Sequence, residues 1–206
     1  MIQEKKNYHH GDLREQLIEA VTQLVEEDGP DGWSIAEACR RAGVSTAAPY
    51  RHFQDRHDLL RHTVLRAMDR FFERMQTAAD SFPAGDARRI VALGKAYLSF
   101  ARDEPGIFRI MFSLTEPLEG HADVDALNTD AKFLLDRVVA AHLNIPVESE
   151  QTRARAMALW CFVHGYSFLQ IDAKSKAEAH AVPEDMLLYL VGEAIVPSDS
   201  SVNSDE

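Results

Sequence analysis

Residues 34–53 carry the side chains whose types and spacing could bind a nucleic acid, because two short helical patterns meet there at a turn that contains Gly43. Ser34 precedes the first pattern and Ser45 the second, and a serine hydroxyl at such a position accepts a hydrogen bond from an early helical N–H. Two short helices joined in this way can lay the second one in the major groove of DNA. Residues 50–53, Tyr-Arg-His-Phe, add donors for phosphate oxygens. The motif indicates a DNA-binding protein.

The second helix of this motif is predicted to run from Thr46 to Phe53, with Ser45 as its cap. Its leading residues, Thr46 and Ala47, are small, which allows a close approach to base edges. Pro49 falls in the first turn, where its missing N–H removes only one early hydrogen bond. We therefore expect the helix to tolerate this proline.

The net charge of −11 is unusual for a DNA-binding protein, but the charges are unevenly distributed. From Ser34 to Arg61, five arginines stand against three carboxylates, which gives this stretch +2 and leaves −13 for the rest of the chain. Because Lys and Arg neutralise phosphates, the pattern predicts a local basic face on an acidic body. Lys5, Lys6, His9 and His10 form an N-terminal arm that either follows DNA or is a frayed terminus.

Helical periodicity runs through nearly the whole chain, and no convincing stretch alternates as a strand does. The expected fold is all-α: a three-helix helix-turn-helix head joined by a long helix to a helical-bundle effector and dimerisation domain. Asp12 is expected to cap a first helix that ends at residue 27, and the second helix lies between Ser34 and Gly43. Further helices are expected over residues 55–79, 86–102, 105–112, 123–143, 150–173 and 183–196.

Four segments are predicted from this organisation. They are a DNA-binding domain (8–56), a connecting helix (57–80), a ligand-binding and dimerisation domain (86–196) and a polar, acidic, disordered tail (197–206). No apolar run is long enough to span a bilayer, and the N-terminus lacks the apolar core of a signal peptide. We therefore expect a cytoplasmic protein.

Other chemistries have little support in the sequence. Cys39 and Cys161 are expected to be buried small hydrophobes, with a redox switch as the alternative. No His/Cys/Asp cluster has convincing metal-ligand spacing, and there is no Gly-rich phosphate loop, nucleophile elbow or His-Glu-x-x-His sequence. We therefore predict no cofactor, no metal and no enzymatic activity. A metal- or redox-sensing DNA-binding regulator remains the alternative function.

The sequence Gly-Val-Ser-Thr-Ala-Ala-Pro-Tyr-Arg-His-Phe-Gln-Asp-Arg-His-Asp-Leu-Leu, residues 43–60, resembles the head of the TetR family of bacterial transcriptional regulators. Tyr-His-His-Gly-Asp-Leu-Arg at residues 8–14 and Trp-Cys-Phe-Val-His-Gly at residues 160–165 further resemble the branch named for its Trp-His-Gly effector domain. The resemblance implies an all-helical homodimer that a small-molecule ligand releases from a palindromic DNA operator. Repression is implied only by this resemblance.

The resemblance also implies roles for individual residues. Ser34, Tyr50 and His52 match phosphate-contact positions, and Thr46 and Ala47 match the base-facing start of the recognition helix. The complete predicted DNA-binding set is Ser34, Arg40, Arg41, Ser45, Thr46, Ala47, Tyr50, Arg51, His52 and Arg56. Arg56 stands where the family usually has Lys, and a guanidinium can bind phosphate there with a different geometry.

Aromatic residues and methionines are abundant after residue 70, a mixture that suits either plain core or a mostly apolar ligand cavity. With the ligand that the resemblance implies, the predicted lining is Phe71, Met75, Tyr97, Phe100, Phe108, Met111, Phe112, Trp160, His164 and Phe168. His164 is either a ligand contact or a core histidine whose hydrogen bonds are satisfied.

Small residues stand beside large apolar ones in the last two predicted helices, which favours close packing in a four-helix dimer interface. The predicted interface residues are Met157, Cys161, Gly165, Leu187, Leu190, Val191 and Ala194. A symmetric dimer places two heads on two half-sites about 34–36 Å apart. Packing within one chain is the alternative.

Overall fold

A computed structural model describes residues 10–29, 31–112, 122–172 and 182–197, and every regular element within them is helical. This confirms the all-α fold. The N-terminal arm before His10 and the tail from residue 198 lie outside the described residues. The α-helices are α1 (His10–Asp28), α2 (Ile35–Ala42), α3 (Arg56–Asp80), α4 (Arg88–Asp103), α5 (Pro105–Phe112), α6 (Ala122–Leu143), α7 (Glu150–Ile171) and α8 (Glu184–Ile195), and a 3₁₀ helix covers Pro49–Arg51.

The chain forms two compact units, which we call the head unit (residues 1–67 and 106–121) and the body unit (residues 68–105 and 122–206). The division falls inside α3, and α5 belongs to the head unit although it follows α4 directly in sequence. The segment ranges predicted from the sequence stay predictions. None of the described helices combines the length and apolarity that a bilayer crossing requires.

Helix α1 buries the apolar face that its sequence predicts, because its leucines and valines recur every three or four residues. Leu17 and Val21 are fully buried. The helix begins at His10, so the prediction of Asp12 as its N-cap is wrong. The residues before Asp12 already have helical backbone, and an acidic residue is also favourable inside a first turn because of the helix dipole.

The caps of α2 are those predicted. Ser34 has extended backbone dihedrals, and its Oγ accepts a hydrogen bond from the Glu37 backbone N–H at 3.2 Å. Gly43 ends the helix with φ +68°, a left-handed conformation that glycine adopts without steric cost. These two residues fix both ends of the first helix of the motif.

The predicted α-helix from Thr46 to Phe53 is wrong. The segment consists of turns and the 3₁₀ helix at Pro49–Arg51. The N–H of residue 49 would have donated the first i to i−4 bond to the Ser45 carbonyl, and proline has none. That carbonyl instead accepts from the Ala48 N–H at 3.0 Å, one residue earlier, which sets the tighter 3₁₀ winding.

Helix α5 is attached to α1 through its first turn. Both carboxylate oxygens of Glu26 accept backbone N–H bonds, from Gly106 at 2.9 Å and Ile107 at 2.8 Å. A carboxylate at a helix N-terminus satisfies donors that have no partner inside the helix and complements the helix dipole. Gly106 also lies against the α1 backbone, where an added Cβ would stand 2.5 Å from the Val25 carbonyl oxygen.

In the body unit, α4 packs against α6, α7 and α8. Leu98, Tyr166 and Leu188, one from each of α4, α7 and α8, form a buried apolar cluster. A polar link accompanies this packing, because Arg102 of α4 hydrogen-bonds both the buried Gln170 of α7 and Glu184 at the start of α8. The body is therefore held by apolar burial together with cross-helix charge pairs.

Several buried hydroxyl groups are satisfied inside their own helices. Thr22 donates to the Ile18 carbonyl at 3.0 Å, and Thr63 donates to the Leu59 carbonyl at 2.9 Å. In α7, Ser167 donates to the carbonyl four residues earlier at 2.8 Å. Each bond spans four residues along one helix, a common arrangement for Ser and Thr in helices.

Candidate nucleic-acid interface and effector region

The 3₁₀ segment of the head unit presents a row of exposed side chains. Pro49 and Phe53 are buried, and the Phe53 N–H donates to the Pro49 carbonyl at 2.9 Å. The intervening Tyr50 and Arg51 are exposed, and Tyr50 keeps 60% of its surface accessible. The predicted base-facing and flanking residues are exposed beside them: Ser45, Thr46 and Ala47. The two buried residues therefore hold a hydroxyl, a guanidinium and three small side chains toward solvent.

Two of the predicted DNA-binding arginines are held by carboxylates. Arg40 donates from Nε and Nη2 to the two oxygens of Glu37, at 2.9 and 2.5 Å. Arg41 donates from both terminal nitrogens to Glu27 of α1, at 2.7 and 2.6 Å. Hydrogen bonds from these guanidinium groups lower the pKa of both carboxyl groups. Both acids are therefore ionised near neutral pH.

Two further residues of the predicted DNA-binding set, Arg56 and His52, direct polar atoms toward the interior of the head unit. The Arg56 guanidinium lies 4.3 Å from the centre of the buried Trp33 ring, and its Nη2 donates to the Trp33 carbonyl at 3.3 Å. The Nε2 atom of His52 is buried and has no hydrogen-bond partner among the described residues. A phosphate contact through that nitrogen requires the ring to turn outward.

Sequence reasoning did not find the roles of Glu27 and Trp33. The Glu37–Arg40 pair has the i,i+3 spacing at which side chains meet on a helix, so its pairing had a sequence signal. Glu27 and Arg41 lie 14 residues apart, and only the packing of α1 on α2 joins them. No sequence pattern indicated that Trp33 contacts Arg56.

Part of the predicted ligand-contact set forms one aromatic cluster in the body unit. The Phe71 ring lies 5.3 Å from the Tyr97 ring and 5.1 Å from the Phe100 ring, with edge-to-face geometry. Met75 is buried as well. The His164 ring lies 5.1 Å from both the Trp160 and Phe168 rings.

A polar contact joins α4 and α7 inside this cluster. Tyr97 Oη and His164 Nδ1 are 2.8 Å apart. Burial raises the pKa of Tyr97, against a hydrogen bond with Trp160 that lowers it, and burial lowers the pKa of His164. Both groups are therefore neutral near pH 7. The tautomer of the imidazole sets which of the two groups donates in this hydrogen bond.

The remaining predicted ligand-contact residues, Phe108, Met111 and Phe112, are on α5 in the head unit. The rings of Phe108 and Phe112 are 4.8 Å apart. A surface pocket of about 470 Å³ lies near the end of α6, and its lining includes none of the predicted ligand-contact residues. It is lined by Arg137, Ala140, Ala141, Asn144, Ile145, Pro146 and Val147.

Helices α7 and α8 carry large apolar side chains that are exposed in the single chain. The exposed fractions are 39% for Met157, 38% for Trp160, 49% for Leu169, 56% for Met186, 58% for Tyr189 and 51% for Leu190. Among the other predicted interface residues, Cys161, Gly165 and Ala194 are exposed, and Leu187 and Val191 are half-buried. The expectation of a buried Cys161 is therefore wrong for the single chain, because its position on α7 faces away from the core.

Cys39, in contrast, is buried as predicted, and burial raises the pKa of its thiol. A raised thiol pKa keeps the reactive thiolate form scarce. No group of three or more His, Cys, Asp or Glu side chains within the described ranges could hold a metal ion.

Two family models match the chain. The model described as bacterial regulatory proteins, tetR family, matches residues 17–63, which include α2 and the exposed row. The model described as tetracyclin repressor-like, C-terminal domain, matches residues 90–191, which include the Tyr97–His164 contact.

Curated relatives match only part of the chain. The HTH-type transcriptional regulator BetI of Serratia proteamaculans is 36% identical over 83 residues, which are 38% of this chain and 42% of BetI. The chain thus spans about half, or less, of the length of the curated relatives it matches first.

Two solved structures share the fold over nearly their whole length. One is a protein of unknown function from Rhodococcus sp. RHA1, with TM-score 0.78, 26% identity, and 93% of this chain and 97% of that chain covered. The other is the transcriptional regulator FadR of Bacillus subtilis in complex with stearoyl-CoA, with TM-score 0.68, 14% identity, and 88% and 97% covered.

The helical order, the capped α2 followed by an exposed row of small and polar residues, and the two matching models agree with one another. This chain belongs to the TetR family of DNA-binding transcriptional regulators.

Proposed function

We propose that the protein is a repressor that binds a palindromic operator as a homodimer and is released by a small, largely apolar ligand. The observation that carries the proposal is the exposed row Ser45, Thr46, Ala47, Tyr50 and Arg51 on a 3₁₀ segment anchored by two buried residues. Small side chains allow base edges to come close, while the hydroxyl and guanidinium bind phosphate oxygens. The protein acts in the cytoplasm, where this DNA is accessible.

The proposed dimer is supported by the exposed faces of α7 and α8. Exposed apolar side chains of this size, side by side on two helices, are typical of a surface that a partner covers. Gly165 adds a place for close approach, since a Cβ added there would meet nothing within 4 Å in the protomer. Two α7–α8 pairs would form a four-helix interface around a two-fold axis.

The proposed ligand site is the aromatic cluster around Tyr97 and His164. Its rings and Met75 provide apolar surface, and the neutral Tyr97–His164 pair provides one polar contact that could orient a ligand. FadR, which shares this fold, was crystallised with stearoyl-CoA. We therefore propose a ligand with a long apolar part, and stearoyl-CoA is the first probe. The Trp160, His164 and Gly165 positions support membership of the Trp-His-Gly branch.

A comparison of DNA affinities across a salt series tests the proposed function. The purified protein should bind DNA from the region upstream of its own gene more tightly than a scrambled duplex of equal length. Binding should weaken steeply with salt, because phosphate neutralisation releases counterions. Equal, weak binding to both duplexes would leave autoregulation unsupported, and absence of binding to any DNA at low salt would reject the DNA-binding interface itself.

Tyr50→Phe should weaken operator binding by about tenfold at each of the two half-sites. The substitution removes only the exposed hydroxyl, and a hydrogen bond to a charged group contributes about 1.5 kcal/mol or more. Fluorescence anisotropy with the labelled operator measures the change. Thr77→Val is the control, since it removes an exposed hydroxyl from α3, outside both the predicted DNA-binding set and the proposed dimer interface. Unchanged affinity of Tyr50→Phe would refute the phosphate role.

A further inference from the structure

The sequence of α2, with its two arginines, suggests a positively charged surface, but both arginines are paired with carboxylates in the structure. Arg40 is the most accessible of its arginines, with 72% of its side chain exposed, yet both oxygens of Glu37 accept hydrogen bonds from it. Arg41 is engaged in the same two-bond manner by Glu27. Two of the cations predicted to bind DNA are thus already paired with carboxylates in the free protein.

Such pairing changes what an approaching DNA duplex encounters. A guanidinium and a carboxylate in contact have no net charge, so at a distance they neither attract nor repel phosphates appreciably. To bind a phosphate, Arg40 must either leave Glu37 or bring that negative charge close to the DNA. Sequence-independent affinity comes almost entirely from phosphate neutralisation. A paired arginine therefore contributes less to it than a free one.

Arg51 provides the contrast within the same motif. It is exposed beside Tyr50 on the 3₁₀ segment, and it makes no salt bridge to any residue within the described parts of the chain. Its full charge is available to a phosphate. The head unit therefore carries paired and unpaired arginines on neighbouring elements.

We propose that Glu37 restrains sequence-independent DNA binding by holding Arg40 in an ion pair, which makes Glu37 a determinant of how strongly the protein is retained on non-operator DNA. The proposal rests on the proposed DNA-binding function. Glu27 acts on Arg41 in the same way, but that pair also joins α1 to α2. Glu37 is the cleaner test, because its pair lies within one helix.

The experiment measures binding of the full chain to a scrambled duplex between about 50 and 200 mM salt. Glu37→Gln removes the negative charge and keeps the backbone N–H that Ser34 caps. For each protomer we expect binding about five- to tenfold tighter at about 100 mM salt, and a log–log salt slope steeper by about 0.9, the value for one more neutralised phosphate. Glu19→Gln is the control: it removes the same charge from an exposed α1 residue whose carboxylate bonds Gln23, not an arginine.

Two further variants distinguish local pairing from a general change of charge. Arg40→Gln combined with Glu37→Gln should return binding close to wild type, because two neutral side chains then replace a neutral ion pair. Arg51→Gln should reduce the slope by about 0.9 for each protomer, because it removes an unpaired cation. Thermal melting followed by circular dichroism verifies that each variant is folded.

Each outcome decides the proposal. It is overturned if folded Glu37→Gln binds the scrambled duplex with wild-type affinity and slope, or more weakly. It is also overturned if Glu19→Gln produces the same gain, or if the double variant Glu37→Gln/Arg40→Gln keeps the full gain of Glu37→Gln. If the wild-type protein binds no DNA at the lowest salt, the proposed function fails and this inference fails with it. Normal wild-type binding with an unresponsive Glu37 variant rejects only the inference.

Discussion

Leu190→Glu is expected to convert the protein from a dimer to a monomer and to lower its operator affinity by about a hundredfold or more. Leu190 is 51% exposed in the protomer, so a glutamate there stays solvated in the monomer and costs little folding free energy. In the proposed dimer the same charge would be buried twice, once in each protomer, without a partner. Loss of the dimer removes the gain from binding two linked half-sites, which amounts to about 10²–10⁴ in affinity.

Sedimentation equilibrium measures the association state, and anisotropy measures operator binding. Phe133→Glu is the matched control, because Phe133 of α6 is 47% exposed and lies outside the proposed interface. It should remain dimeric with nearly wild-type operator affinity. A dimeric Leu190→Glu variant would show that the exposed faces of α7 and α8 are not the dimer interface.

Gly106→Ala is expected to destabilise the head unit by about 2–3 kcal/mol, the upper part of the range for forcing an extra methyl group into a packed site. The new Cβ would stand 2.5 Å from the Val25 carbonyl oxygen and 3.2 Å from the Glu26 Cα. Both neighbours are backbone atoms of α1, which cannot turn aside as a side chain does. Relief requires α5 to move away, and this movement stretches the bonds from Gly106 and Ile107 to Glu26.

Urea denaturation followed by circular dichroism measures the loss, and hydrogen exchange at the Ile107 amide locates it. Gly192→Ala in α8 is the control, because a Cβ there meets nothing within 4 Å although the residue is buried. That change should stabilise the protein by about 0.5–1 kcal/mol, since alanine favours a helix interior over glycine. A wild-type midpoint for Gly106→Ala would mean that α5 and α1 are not in close contact.

Structural features that depend on residues close together in the sequence could be predicted correctly. The buried face of α1 follows from the spacing of its leucines, and the ends of α2 follow from Ser34 and Gly43. Pro49 was recognised as unusual, but its effect was misjudged. Whether one missing hydrogen bond shortens a helix or changes its winding depends on the competing Ala48 bond to the Ser45 carbonyl.

Contacts between distant residues could not be predicted in the same way. The Glu27–Arg41 and Trp33–Arg56 contacts join residues 14 and 23 positions apart, and their existence depends on how α1, α2 and α3 pack. The position of α5 in the head unit could not be predicted either, because it depends on hydrogen bonds from Gly106 and Ile107 to the distant Glu26. Periodicity correctly indicated that α5 is a helix, but it contains no information about the partner of that helix.

The hydroxyl groups of Thr22, Thr63 and Ser167 have a mechanical consequence. Each is buried, and each donates to a carbonyl of its own helix. A helix whose buried donors are satisfied internally can slide by a fraction of an ångström against its neighbour without leaving a polar group unpaired. The resistance to such shear at these three positions then comes from side-chain packing alone, which permits small displacements of packed helices at modest cost.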